Sequence, residues 1–212
     1  MKIAIAVYDR MTLLDAIGPY SVLAHVPGAE VRFVAHTLDP VTADVGTPAL
    51  VPDATFADEA TPDIILVPGG PDTDDIATNP ALRAWLVGAA PGATWITSVC
   101  TGSYALGGAG LLQGRRATTH WRALSGLEAF GATPVSERVV EDGNVMTAAG
   151  VSAGIDMGLT LAARLSGDLV AQVIQLGIEY DPHPPFDSGS PRTAPAAVLE
   201  LADRRRAERS AR

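Results

Sequence analysis

Only one cysteine, Cys100, stands in 212 residues. No intrachain disulfide can form, and a lone free thiol suits a reducing cytoplasm. Long apolar runs are also missing. Each is broken early by Gly, Pro or a charge, which excludes a transmembrane helix. The opening MKIAIAVYDR has one lysine and an apolar run too short for a secretory signal, with no small-residue cleavage site after it. It reads instead as a first strand. Basic charge is scarce: the formal net charge is −9, which argues against nucleic acid and anionic membranes as partners. The one basic cluster, Arg204–Arg206, reads as a solvated helix end. His25, His36, His120 and His183 show no metal-ligand spacing, so no metal site is expected. No Ser-His-Asp pattern, phosphate loop, internal repeat or linker is present.

What is present is 47% hydrophobic and alternates between two kinds of segment. Lys2–Tyr8, Val31–Ala35, Ile64–Val67 and Thr94–Val99 read as short strands, several covered on both faces. Between and after them, Leu13–Ala24, Ala81–Gly88, Thr101–Gly108, Arg122–Phe130, Val151–Ser166 and Leu169–Tyr180 read as helices. Val139–Met146 reads as a hairpin turning at Asp142-Gly143. The alternation predicts an α/β fold: a three-layer α/β/α sandwich around a mostly parallel sheet, as a single domain over 1–212. The tail, about 190–212, adds a last helix. Ligands of such sheets bind at the carboxyl ends of the strands.

Cys100 lies where strand Thr94–Val99 gives way to a helix, with Ser98 two places before it and Gly102 two places after. That spacing suits a nucleophile elbow. The first amides of the following helix would favour a thiolate and hold a developing anion. A buried spectator thiol fits the spacing equally well. Other strand ends reach the same edge. Pro68-Gly69-Gly70 is either an ordinary turn or a set of amides aimed at a ligand. Asp15 is either a helix cap or a proton donor and acceptor beside Cys100. His120, in TTHW, is either structural or close to the thiol.

Five segments then carry a resemblance: LLDAIGPYSVL, DIILVPGG, SVCTGSYALGGAGLL, ATTHW and TAAGVSAGIDMGL. In this order, over residues 1 to about 180, they resemble the ThiJ/PfpI superfamily. The resemblance implies a flavodoxin-like fold of the class I glutamine amidotransferase type, a strained cysteine elbow and a homodimer. Asp15 stands where many members carry glutamate, Thr101 follows the cysteine, and the run EYDPHPPFDSGSP is similar to the tail of the isonitrile hydratase branch. That branch adds water to an isonitrile and yields an N-substituted formamide, without metal or organic cofactor. By this likeness Cys100 is the nucleophile and Asp15 and Thr101 are its partners. The amides of Gly70 and Thr101 hold the anion, Ala149, Gly150 and Val151 line the pocket, and His120 borders the site. Asp15 would protonate the isonitrile carbon, Cys100 would form a thioimidate, and ionised Asp15 would activate water positioned by Thr101.

Two other readings remain open at this stage. One is a glyoxalase or deglycase acting on α-oxoaldehydes, an activity usually associated with a glutamate at the position of Asp15. The other is a cysteine-based stress or ligand sensor. AraC-type regulators share motifs like GVSAGID, but their paired DNA-binding units would not fit in the residues after Tyr180.

Overall fold

The short apolar runs of the sequence become the middle of one sheet. In the computed structural model, which describes residues 1–210, the chain divides into two units, Met1–Ile178 and Glu179–Arg212. The first unit opens with β1 (Lys2–Ala6), α1 (Leu13–Leu23), β2 (Glu30–Ala35), β3 (Val41–Thr42), β4 (Ala49–Leu50), β5 (Ala54–Thr55) and β6 (Ile64–Val67). Then come α2 (Thr73–Thr78), α3 (Pro80–Ala89), β7 (Trp95–Val99), α4 (Gly102–Gly108), β8 (Arg116–Ala117) and β9 (Thr133–Pro134). The hairpin β10 (Val139–Asp142) and β11 (Val145–Ala148) precedes α5 (Ala153–Ser166) and α6 (Asp168–Gly177). The second unit carries α7 (Ala196–Ser210). Among the described residues no helix is long and apolar enough to cross a membrane.

Seven strands pair in the order β10-β11-β7-β6-β1-β2-β5. Every pairing in this sheet is parallel except β10 with β11. Residues 3–6 of β1 and all of β6 are buried, as expected of strands covered on both faces. On one face Ala4, Ile65 and Ile96 pack under Leu82 and Leu86 of α3 and Leu106 of α4. On the other, Ile3, Ile5 and Leu66 pack under Val22 of α1 and Met157 and Leu161 of α5. Each such buried Ile, Leu or Met contributes roughly 1.5–3 kcal/mol relative to exposure. The chain moves outward from β1 to β2 and β5, then returns to β6 and runs outward the other way. The carboxyl ends of β1 and β6 therefore flank the switch point where α/β sheets place their ligands.

α1 begins at Leu13, as its sequence pattern predicts, so Asp15 lies within its first turn. Two local features differ from the sequence-based expectation. α2 and β5 are additional short elements; β5 pairs at only two positions, Val34 with Ala54 and Ala35 with Thr55. The segment Trp121–Phe130 is a 3-10 helix where an α-helix was expected. Its Ala123 carbonyl accepts the Tyr104 hydroxyl at 2.8 Å, in competition with the Leu127 amide that an α-helix would bring to it.

Candidate functional site

The site is built on a backbone turn that only a few contacts permit. Cys100 leaves the end of β7 with φ 55°, a left-handed conformation that costs a non-glycine residue about 1–2 kcal/mol. The turn is held from several sides. Cys100 N–H is shared between the carbonyls of Ala148 and Ala149, at 3.1 and 2.9 Å. Its carbonyl accepts the hydroxyls of Thr119 at 2.8 Å and Ser103 at 3.3 Å. Gly102 allows α4 to start against β6, because a Cβ there would collide with the Val67 carbonyl oxygen. Val151, after β11, also has positive φ, at 32°, and Arg10, after β1, has 66°. The non-glycine strain of the first unit thus gathers on loops that follow the carboxyl ends of β11, β7 and β1, the last two flanking β6.

Cys100 is buried, and the backbone amides of Thr101 and Val151 point at its sulfur. Asp15, also buried, comes from α1 close enough to the thiol for each group to shift the other's proton affinity. Its Oδ2 accepts the Gly69 N–H at 3.0 Å, while Oδ1 is buried with no hydrogen-bond partner. Burial pushes the carboxyl up to about 7, against the pull of the Gly69 amide and of Cys100. The thiol is pushed up to about 12 by burial and by the neighbouring Asp15 charge, which outweigh the two amides. Burial and Asp15 thus oppose the thiolate expected from the helix terminus, while the two amides favour it. The balance favours the protonated thiol, and Asp15, whose proton affinity is raised toward neutrality, is the group poised to exchange a proton.

The Thr101 hydroxyl is fully engaged with the PGG loop. It accepts the Gly70 N–H at 2.8 Å and donates to the Gly70 carbonyl at 2.6 Å. The expected anion-holding pair of Gly70 and Thr101 is therefore revised. The Gly70 amide is committed to a side chain, and the two amides that converge on the sulfur are those of Thr101 and Val151.

A model of the DJ-1/PfpI family matches residues 1–164. The chain belongs to the DJ-1/PfpI family. It is 47% identical over 207 residues to the isonitrile hydratase of Pseudomonas putida, which spans 98% of this chain and 90% of that one. The crystal structure of a ThiJ/PfpI family protein from Pseudomonas syringae superposes with a TM-score of 0.93 at 44% identity, covering 98% of this chain and 86% of that one. The glutathione-independent glyoxalase of Caenorhabditis elegans is more distant, 26% identical over 142 residues, 66% of this chain and 75% of that protein.

In this DJ-1/PfpI chain the remaining expected residues take distinct places. Ala149 and Gly150 connect the Cys100 N–H acceptors to the Val151 amide. His120 packs against Gly150, where a Cβ would lie 2.8 Å from its ring, and its Nδ1 accepts the Arg122 N–H at 3.3 Å. That nitrogen starts the 3-10 segment, and His120 is not among the groups that shift the thiol. Among the described residues, no three His, Cys, Asp or Glu side chains gather as a metal site would require. Tyr8 and Asp44 escaped the sequence reading. Asp44 raises the proton affinity of Asp15, and burial, followed by Asp15 and Cys100, raises that of Tyr8. The available signal for Tyr8 was its position at the carboxyl end of the first strand. Tyr8, Arg10, Asp72 and Ile76 border a hollow of about 70 Å3. A larger groove of about 450 Å3, walled by Phe56 and Trp85, includes none of these site residues.

Proposed function

We propose that this protein adds water to an isonitrile and releases an N-substituted formamide, a hydro-lyase reaction carried by Cys100 and Asp15. The observation that carries the reading is a buried, protonatable carboxyl beside the only thiol of the chain. The likeness to the Pseudomonas putida isonitrile hydratase over nearly the whole chain supports the choice of substrate class.

The terminal carbon of an isonitrile becomes electrophilic when it gains a proton. Asp15 gives its proton to that carbon as Sγ of Cys100 bonds to it, and the carboxylate takes the thiol proton in return. The product is a thioimidate, R–N=CH–S–Cys100. Water then adds to its carbon, with the nitrogen protonated by Asp15 and a water proton returned to the carboxylate. Collapse of R–NH–CH(OH)–S–Cys100 breaks the C–S bond, forms R–NH–CHO and restores the thiol. Negative charge that develops on sulfur meets the Thr101 and Val151 amides. No proton or electron is left over, so the chain's own groups suffice.

Incubation with cyclohexyl isocyanide, followed by detection of N-cyclohexylformamide, tests the reading. Formamide from the wild type and none from Cys100→Ala supports it; no formamide from a folded wild type overturns it. The family resemblance further supports a cytoplasmic homodimer, which sedentary controls such as size-exclusion chromatography with light scattering test for the oligomer and fractionation tests for the compartment.

A further inference from the structure

The Pro68-Gly69-Gly70 loop has two glycines in succession, so its own side chains do little to fix the orientation of its peptides. Groups from outside hold them instead. The Gly69 carbonyl accepts the Thr12 N–H at 2.8 Å, and Thr101 takes both the Gly70 N–H and the Gly70 carbonyl. The peptide between Pro68 and Gly69 is held at both edges. Its N–H donates to Asp15 Oδ2 at 3.0 Å, and its carbonyl accepts the Tyr8 hydroxyl at 2.5 Å. A peptide unit is planar and rigid, so its carbonyl and N–H turn together. Rotation that breaks the Tyr8 bond also swings the N–H away from Asp15.

We propose that Tyr8 is a positioning residue for the reaction: by holding the Pro68 carbonyl it aims the Gly69 N–H at the Asp15 carboxyl and so orients the proton-transferring group. This inference rests on the hydratase reading for its catalytic consequence, while the link between Tyr8 and Asp15 stands on the geometry. Tyr8 is suited to the task. It lies two residues beyond β1, packs against the buried cores on both sides of the sheet, and its short hydrogen bond spans 60 residues of sequence. Hydrogen bonding through a peptide is cooperative, because a donor on the carbonyl makes the N–H of the same unit a better donor. The carboxylate form of Asp15 is thereby favoured and its proton affinity restrained. The other groups that act on Asp15 are Cys100 after β7 and Asp44 between β3 and β4, both unchanged by substitution at Tyr8. From α5, the neighbour of α1 near this turn is the apolar Ile155, which packs at Gly18.

The test is Tyr8→Phe, with 13C-labelled aspartate and the Asp15 carboxyl followed by NMR as pH is varied. Its signal is assigned by its loss in Asp15→Asn. The expected result is a titration midpoint raised by about half a pH unit or more. Expected with it are a fall of about tenfold in kcat, KM within about twofold, and an alkaline limb of kcat/KM displaced upward by the same amount. 3-Fluorotyrosine at position 8 keeps the fold and makes the hydroxyl a stronger donor, so it should move the midpoint down. A midpoint unmoved in both proteins overturns the proposal, even if Tyr8→Phe is less stable. If the wild type makes no formamide, the hydratase reading fails, and the titration still decides whether Tyr8 governs Asp15.

Discussion

The Thr101 hydroxyl closes a two-way hydrogen bond with Gly70, accepting its N–H at 2.8 Å and donating to its carbonyl at 2.6 Å. One small side chain thus ties the loop after β6 to the first residue beyond the cysteine. Thr101→Val keeps the shape and leaves two buried backbone groups without partners. It should cost about 1–3 kcal/mol in urea unfolding. The formamide assay should show a fall in kcat of about tenfold, and Thr101→Ser should restore both.

Asp15→Asn should abolish turnover, by roughly 100-fold or more, with the circular dichroism spectrum unchanged. Its effect on stability has a definite sign. The folded carboxyl has its proton affinity raised from 3.8 to about 7, so the folded state binds more protons than the unfolded state between those values. Ionised Asp15 therefore costs stability as pH rises through this window, by up to roughly 4 kcal/mol, and the cost stays constant above it. The stability of Asp15→Asn relative to wild type should rise between pH 4 and pH 8. Denaturant melts at the two pH values measure this; a constant difference would contradict the buried, proton-binding carboxyl.

Because the protonated carboxyl starts the proposed reaction, kcat/KM should be level at mildly acid pH and fall above about 7. A profile that rises through neutrality would instead point to the carboxylate as the active form of the free enzyme.

Iodoacetamide should modify Cys100 slowly at neutral pH, since the thiol is held up to about 12 by burial and Asp15. Asp15→Asn removes the negative neighbour and should increase the rate at pH 8. Mass spectrometry of the alkylated protein reads both rates, and the single cysteine makes assignment unambiguous.

Gly102→Ala should destabilise the fold by about 3 kcal/mol or more, because the new methyl meets the Val67 and Pro68 carbonyl oxygens and no flexible side chain can yield. Thermal melting measures the loss. Gly92→Ala, where a Cβ has open space, should have little effect.

Much of this architecture could be read from local pattern. The run IILV at 64–67 is a strand in the structure with the same bounds, since four apolar residues before Pro-Gly-Gly leave no room for another element. Asn79-Pro80 opens α3 as its chemistry requires, with Asn79 accepting the Leu82 N–H at 3.0 Å. The elbow at Cys100 was legible as well, because a strand-to-helix turn that tight needs Gly102. The short α2 and β5 were not, as elements of six and two residues carry too little periodicity. The Trp121–Phe130 segment takes a 3-10 form in which the Ala123 carbonyl accepts the hydroxyl of Tyr104, a residue that arrives from another helix.

For the site the division is similar. Sequence alone determined which groups could do chemistry: one thiol, a carboxylate after the first strand, and glycines where strands end. Only the tertiary structure decided their state. Burial beside Asp15 raises the thiol instead of lowering it, Thr101 occupies the Gly70 amide, and Tyr8 reaches the loop that holds Asp15. Proton affinity and hydrogen-bond commitment depend on solvent exclusion and on partners 30 to 60 residues away, as in the Thr101–Gly70 and Tyr8–Pro68 pairs. Those distances close only when β1, β6 and β7 lie side by side in the folded sheet.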